Sequence, residues 1–290
     1  MRGIGLMVGA MLGFAVNDAL VKAMLSYLPI GQIFFAMGIG GVVIFGMIAA
    51  RQGLSLLSRA FFARSVMVRN ISEVVGSLGF VTSLQFIPLS TASVILQATP
   101  LVVTLGASFY FRETIGWRRW CAVGVGFAGV LIIIRPGLDG FQPAALITVV
   151  GVVGLAMRDL ATRAVPRDIG AVVLSAYGFF MLVPTGVILL TLFDPPVPFP
   201  MISVWMLAAS MAAAPLAYYG VTAAMRTGDV GAVTPFRYTR LIFAMAIGIL
   251  FFREKPDALT WAGAAMIMGS GLYTYMRERR LAKIQSALST

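Results

Sequence analysis

The feature that most constrains this chain is a succession of apolar runs, each about as long as a bilayer is thick and separated by short charged, Pro-rich or Gly-rich breaks. A transmembrane helix takes about 20 predominantly apolar residues. Ten segments of that kind can be drawn, over residues 3–24, 30–50, 66–86, 89–111, 117–134, 143–163, 169–192, 201–225, 230–252 and 258–276. Ten spans leave no room in 290 residues for a sizeable soluble domain. Composition agrees, because 59% of the residues are hydrophobic and 11% charged, whereas soluble domains run at about half and about a quarter. Arg2 ahead of the first run resembles the start of a signal peptide, but Asn17 and Asp18 inside that run and nine spans after it predict a retained first helix.

Residue usage excludes most chemistry. With no histidine and one cysteine, Cys121, the chain lacks His/Cys metal sites, Ser-His-Asp triads, Cys-His dyads and an internal disulfide. A metal site made of carboxylates alone stays open in principle. No phosphate-binding G-x-x-x-x-G-K-[ST] loop is present, and no G-x-G-x-x-G stands at a strand–turn–helix junction. The expectation is therefore no enzyme, no catalytic residues, no cofactor and no resident metal. The net charge of +11 would point to nucleic acid in a soluble protein, but in a membrane chain it reports topology and contact with anionic lipid.

Cationic residues collect in short cytoplasmic loops. With the N-terminus inside, 16 of the 22 Lys and Arg residues fall at inner ends or loops. Lys22, Arg135, Arg253 and Lys255 fall outside, and Arg237 and Arg240 lie within a span. That bias predicts both termini in the cytoplasm. Trp117, Trp120, Trp205 and Trp261 all stand at span entrances, where an amphipathic ring prefers the interface.

The two halves of the chain are alike. Phe111-Arg112-Glu113 closes the fourth span and Phe252-Arg253-Glu254 the ninth, an offset of about 141 residues. The same offset carries Trp120 onto Trp261, and Gly124 and Ala128 onto Ala265 and Gly269. Because five is odd, a second five-helix copy must cross upside down, as in the inverted repeats of secondary transporters. The expected fold is an all-α integral membrane protein of ten transmembrane helices in two inverted five-helix repeats, residues 1–140 and 141–277, with a cytoplasmic tail at 278–290. The alternative is that F-R-E simply ends a helix at an interface in both places.

Two five-helix halves, each with a fourth helix closing in an R-E element before a fifth rich in small residues, resemble the drug/metabolite transporter superfamily of the EamA type. The likeness covers nearly the whole chain and is greatest to the YddG-like bacterial amino-acid exporters. It implies a carrier in the bacterial inner membrane whose central cavity is lined mainly by the first, third, fourth, sixth, eighth and ninth helices. It does not identify the cargo.

Several polar residues lie where an apolar span has no need of them. Asn17 and Asp18 interrupt the first span, and intramembrane polar groups face protein or water; a cavity role and a helix–helix hydrogen bond are both open. Gly5, Gly9 and Gly13 share one face of that span with Asn17 and suit close packing. Glu73 on the third span and Arg237 and Arg240 on the ninth sit at similar depth. Unpaired ions are costly there, so an ion pair between them, structural or gating, is expected. Asp18 and Glu73 are the candidate coupling carboxylates. Arg158, Asp159 and Arg163 read as interfacial charges.

Gln97 falls in repeat register against Tyr238, and Thr99 against Arg240, which suggests a site straddling the pseudo-two-fold axis. Asn17, Gln97, Tyr218 and Tyr238 are the candidate substrate-binding residues. Pro100, Pro184, Pro215 and Pro235 each remove a backbone hydrogen bond and can bend a helix. The leading function is export of small organic solutes, amino acids and related metabolites, by alternating access. Export of cationic drugs is the alternative within the same class, and an intramembrane enzyme or scaffold the alternative outside it. The partners expected are a small-molecule substrate and lipid, with no nucleic acid and with the oligomeric state open.

Overall fold

The computed structural model describes residues 2–56, 58–110, 116–137, 141–166, 168–227 and 233–288. Among these residues all repeating structure is helical. The helices are α1 (Arg2–Met24), α2 (Ile30–Arg51), α3 (Arg64–Ser83), α4 (Leu89–Leu96), α5 (Thr99–Tyr110), α6 (Trp117–Ile134), α7 (Ala144–Arg163), α8 (Ala171–Leu192), α9 (Met201–Thr227), α10 (Thr239–Phe251) and α11 (Ala258–Leu288). Short 3-10 turns occupy Arg59–Phe62 and Thr234–Tyr238. Phe111, Arg112, Glu113, Gly140 and Val230, used in the sequence reading, lie outside the described residues.

Proline sets the first turns of the path. Pro29 and Pro88 hold extended backbone, ψ 151° and 146°, immediately before α2 and α4. A proline lacks the N–H that would continue the previous helix and disfavours helical geometry in the residue before it. The connections are consequently short, and successive helices turn back on themselves.

Among the described residues seven spans are long and apolar enough to cross a membrane: α1, α2, α4 with α5, α6, α7, α8 and residues 201–221 of α9. This is a multi-pass membrane protein. The three remaining expected spans differ for identifiable reasons. Helix α3 is diluted by Arg64, Arg69, Asn70 and Glu73. The ninth expected span has a 3-10 turn where regular helix was expected, followed by 13 helical residues. Helix α11 runs on to Leu288, through the segment expected as a tail, and its first 18 residues are diluted by Gly263, Gly269, Ser270, Gly271, Tyr273, Thr274 and Tyr275.

The fourth expected span is also broken. Helix α4 ends at Leu96 and α5 begins at Thr99, with Gln97 in the break. Thr99 Oγ1 donates to the Leu96 carbonyl at 2.6 Å, and Thr239 Oγ1 donates to the Phe236 carbonyl at 2.6 Å. Thr99 thus satisfies the Leu96 carbonyl, for which Pro100 has no N–H, whereas the Phe236 carbonyl also takes the Thr239 N–H. Irregular backbone at membrane depth is tolerated where it is buried in protein or lines a cavity. The first condition fits α4, seven of whose eight residues are buried, Ser90 and Ser93 among them. It lies in a core with Ile33, Leu101, Leu241 and Ile267.

Helices pair across the chain: α1 on α9, α2 on α8, α3 on α7 and α6 on α11. Helix α1 also meets α10, and α7 also meets α5. Small residues let the backbones close up, the usual solution where lipid supplies no hydrophobic drive between helices. A Cβ on Gly13 would stand 3.0 Å from Ala217 Cβ, and one on Gly220 would stand 3.0 Å from Ala10 Cβ. On the α3–α7 seam a Cβ on Gly154 would stand 2.5 Å from the Gly76 nitrogen, and one on Gly79 would stand 2.7 Å from the Gly151 nitrogen. Of the glycine face expected on α1, Gly13 packs in this way, whereas Gly5 and Gly9 meet nothing within 4 Å.

Candidate functional site

The polar residues of the interior gather along the two seams. On the first, Ser210 Oγ of α9 donates to Asn17 Oδ1 of α1 at 2.6 Å. The next residue, Asp18, is buried and faces away from that seam toward α10, accepting from Arg240 with Nη2 at 2.7 Å and Nε at 3.2 Å from Oδ2. The same guanidinium stands 5.2 Å from the centre of the Phe14 ring, a cation–π contact. A charge-assisted bond and an aromatic face together compensate for taking this ion from water.

The second seam carries a larger network. Glu73 Oε2 lies 3.0 Å from Arg69 Nη2, one turn back on α3, and its Oε1 accepts from Arg158 Nη1 of α7 at 3.0 Å. Arg158 also reaches Asp159 Oδ1, with Nη2 at 2.8 Å and Nε at 2.9 Å. Arg69 Nη1 donates to the Leu174 carbonyl of α8 at 2.9 Å and to Asn70 Oδ1 at 3.0 Å. Gly178 makes room for that guanidinium, since a Cβ there would stand 2.8 Å from Nη1.

These contacts correct the expected pairing. Glu73 is neutralised by Arg69 and Arg158, not by Arg237 or Arg240. Arg240 serves Asp18, and Arg237 is exposed, within electrostatic reach of Arg158, Asp159 and Arg240. Similar depth in the membrane does not put two helices side by side, and α3 packs on α7 instead of α10. Arg158 and Asp159, expected as interfacial charges, belong to the interior network. A signal for them was present in the sequence: the offset of about 141 residues carries Asn17 and Asp18 onto Arg158 and Asp159.

The expected substrate-binding residues are placed unevenly. Asn17 is half-buried and engaged with Ser210. Tyr218 on α9 meets the Phe45 ring edge-on at 6.1 Å and lies within electrostatic reach of Arg69. Gln97 is half-buried in the α4–α5 break. Tyr238 closes the 3-10 turn with its hydroxyl against Gly271 of α11, where a Cβ would stand 1.8 Å from the oxygen.

A second group of contacts ties one end of the bundle. Glu254 accepts from the N–H groups of Leu89 and Ser90 at 2.6 Å and 2.9 Å, and Lys22 Nζ lies 3.3 Å from it. One carboxylate thereby joins the end of α1, the start of α4 and the end of α10, an arrangement favoured by the positive end of the α4 dipole. Nearby, Asp257 accepts from Arg135, from the Thr260 hydroxyl at 2.7 Å and from its N–H at 2.9 Å. Hydrogen bonding from Arg135 above all, and then from Thr260, holds the Asp257 carboxyl down at about 2. Among the described residues no group of three or more His, Cys, Asp or Glu could hold a metal ion.

Apolar helices closing around charged residues from distant parts of the chain make a membrane protein with a polar interior, the build of a solute carrier. The EamA-like transporter family matches residues 1–135 and again residues 142–276, and the chain belongs to that family. It is a transporter of the drug/metabolite type, not an enzyme, with a small-molecule substrate and the lipid bilayer as its partners. It is 28% identical to a riboflavin transporter of Rhizobium johnstonii over 79% of this chain and 76% of that protein. It is 24% identical to an S-adenosylmethionine uptake transporter of Rickettsia bellii over 96% and 94%, and 27% identical to a pseudopaline exporter of Pseudomonas aeruginosa over 92% and 93%. A crystal structure at 19% identity shares the fold, with a TM-score of 0.66 over 96% of this chain and 98% of that one.

Proposed function

We propose that the protein is a secondary carrier of the bacterial inner membrane that exports amino acids, aromatic and neutral ones among them, and related metabolites. Ten helices form two inverted repeats, residues 1–140 and 141–277, with both termini cytoplasmic, and the cargo passes between the repeats by alternating access. The observation that carries this reading is the exchange symmetry of the packing. Shifting both partners by 141 residues turns Gly13 against Ala217 into Gly154 against Gly76, and Gly220 against Ala10 into Gly79 against Gly151. The two matches to one family model support the same repeat. The broken helices also correspond, Gln97 falling on Tyr238, and paired discontinuous helices are where inverted-repeat carriers bind substrate.

Asn17, Gln97, Tyr218 and Tyr238 form the wall of this site, with amide and phenol groups suited to a zwitterion. Export of cationic drugs is less well supported, because Asp18, Glu73 and Asp159 already hold arginines. Asp18 and Glu73 are the coupling carboxylates, since protonating either releases an arginine. The relatives' names include uptake and export, so direction rests on the likeness to amino-acid exporters. Reconstitution tests the reading: vesicles loaded with a neutral or aromatic amino acid should show saturable counterflow of its labelled form, reduced by Gln97→Ala. Flux equal to that of protein-free vesicles across the amino-acid panel would contradict it.

A further inference from the structure

The interior charges do not balance. Apart from the Lys22–Glu254 pair at one end of the bundle and Arg119, which bonds Thr104, Arg69, Arg158, Arg237 and Arg240 lie near Asp18, Glu73 and Asp159, four cations to three anions. Every carboxylate holds an arginine, and the cation left over is Arg237. Among the described residues it makes no hydrogen bond and no ion pair. The neighbours of Arg237 fix its turn from both sides. Phe236 packs on the cluster of Met7, Ala217 and Val233, and Tyr238 is set against Gly271 of α11. Arg237 between them is exposed, with Asp159 as its first charged neighbour and Arg158 and Arg240 beyond, so two cations and one carboxylate surround it and their sum still favours an anion.

An unpaired ionised group at membrane depth marks a substrate pathway by default. A guanidinium offers a rigid fork of donors matched to carboxylate and phosphate oxygens. We propose that Arg237 anchors the anionic group of the cargo, a carboxylate or a phosphate monoester, and so restricts transport to solutes that carry one. The inference rests on the carrier reading for the word cargo, and on charge and exposure alone for the anion site.

Matched ligand pairs test it on the purified full chain. N-acetyl-L-phenylalanine against N-acetyl-L-phenylalaninamide, and glycerol 3-phosphate against glycerol, differ in the anionic group. In detergent free of added anionic lipid, the acid of each pair should raise the melting temperature at concentrations about tenfold lower than its neutral partner. Arg237→Gln should abolish that preference and Arg237→Lys should keep part of it, each variant being compared with its own unliganded melting temperature, because Arg237 interacts with Asp159, Arg158 and Arg240 through charge alone. Equal response to acid and neutral partner in the native protein, an undiminished preference in Arg237→Gln, no response to any acid, or a response to phosphatidylglycerol alone would each overturn the proposal. Reconstitution separates this failure from that of the carrier reading. Acid-selective binding without flux retains the anion site and removes the carrier, while equal flux of acid and amide, unaltered by Arg237→Gln, retains the carrier and removes the anchor.

Discussion

The α1–α9 seam and the α3–α7 seam are built on the same pattern of close approach, yet they carry different chemistry. Where α1 meets α9 the contacts are alanine and glycine, and the polar bond is the neutral one from Ser210 to Asn17. Where α3 meets α7 the contacts are glycine to glycine, and the polar bonds are ionic, from Glu73 to Arg69 and Arg158. The difference teaches that helix packing fixes where a polar group can sit but not its charge. A neutral pair needs one bond to be satisfied, whereas an ionic cluster needs every member.

The largest expected effect attacks that contrast directly. Glu73→Gln leaves Arg69 and Arg158 without their shared carboxylate, and breaking an ion pair with this little exposure should cost about 3–5 kcal/mol. The double change Glu73→Gln with Arg158→Gln should lose less than the sum of the two single changes, read as melting temperatures in detergent. Additive losses would mean that the network is not one unit.

Backbone approach gives the next effect. Gly154→Ala drives a methyl group against the Gly76 nitrogen, with no side chain to swing aside, whereas Gly13→Ala meets only the Ala217 methyl group. Overpacking costs about 1–3 kcal/mol. Gly154→Ala should fall at the top of that range and Gly13→Ala at its foot, and equal losses would erase the difference between the seams. Smaller again is Ser210→Ala, which removes one neutral hydrogen bond and should cost about 1 kcal/mol. A loss as large as that from Glu73→Gln would show the neutral seam to be as demanding as the charged one.

The smallest effect lies outside both seams. Because Asp257 titrates at about 2 when folded, below about 4 for an unfolded aspartate, its contribution is complete above about pH 4 and is lost as pH falls toward 2. Its side chain is 48% exposed, so screening keeps the contribution small. The gap in melting temperature between the native protein and Asp257→Asn should close over that pH window and stay constant above it.

Much of this architecture is legible in the sequence. Trp117 and the apolar run to Ile134 bound α6 as drawn, and the F-R-E offset that relates the halves also relates their contacts. What the sequence conceals is lateral. Depth along a helix follows from residue number, but the neighbour a side chain faces depends on which helices pack together, and so Arg158 looked interfacial while Glu73 was assigned to Arg237 or Arg240. The break at Gln97 is half legible: Pro100 has no N–H for the Leu96 carbonyl, although neither Gln97 nor Ala98 is itself a glycine or proline. The extension of α11 to Leu288 escaped because a charged stretch reads as solvent whether or not it is helical.

The proposed transport requires a cavity between the seams that opens to each side in turn. Tyr218 lies on α9 at 36% exposure, within electrostatic reach of Arg69 on the opposite seam. In a Cys121→Ser background, the thiol introduced by Tyr218→Cys can be challenged with an impermeant maleimide in right-side-out and inside-out vesicles. Labelling from both sides, with the ratio shifted by a transported amino acid, is the predicted result. Labelling from one side alone, whatever solute is present, would contradict alternating access through this site.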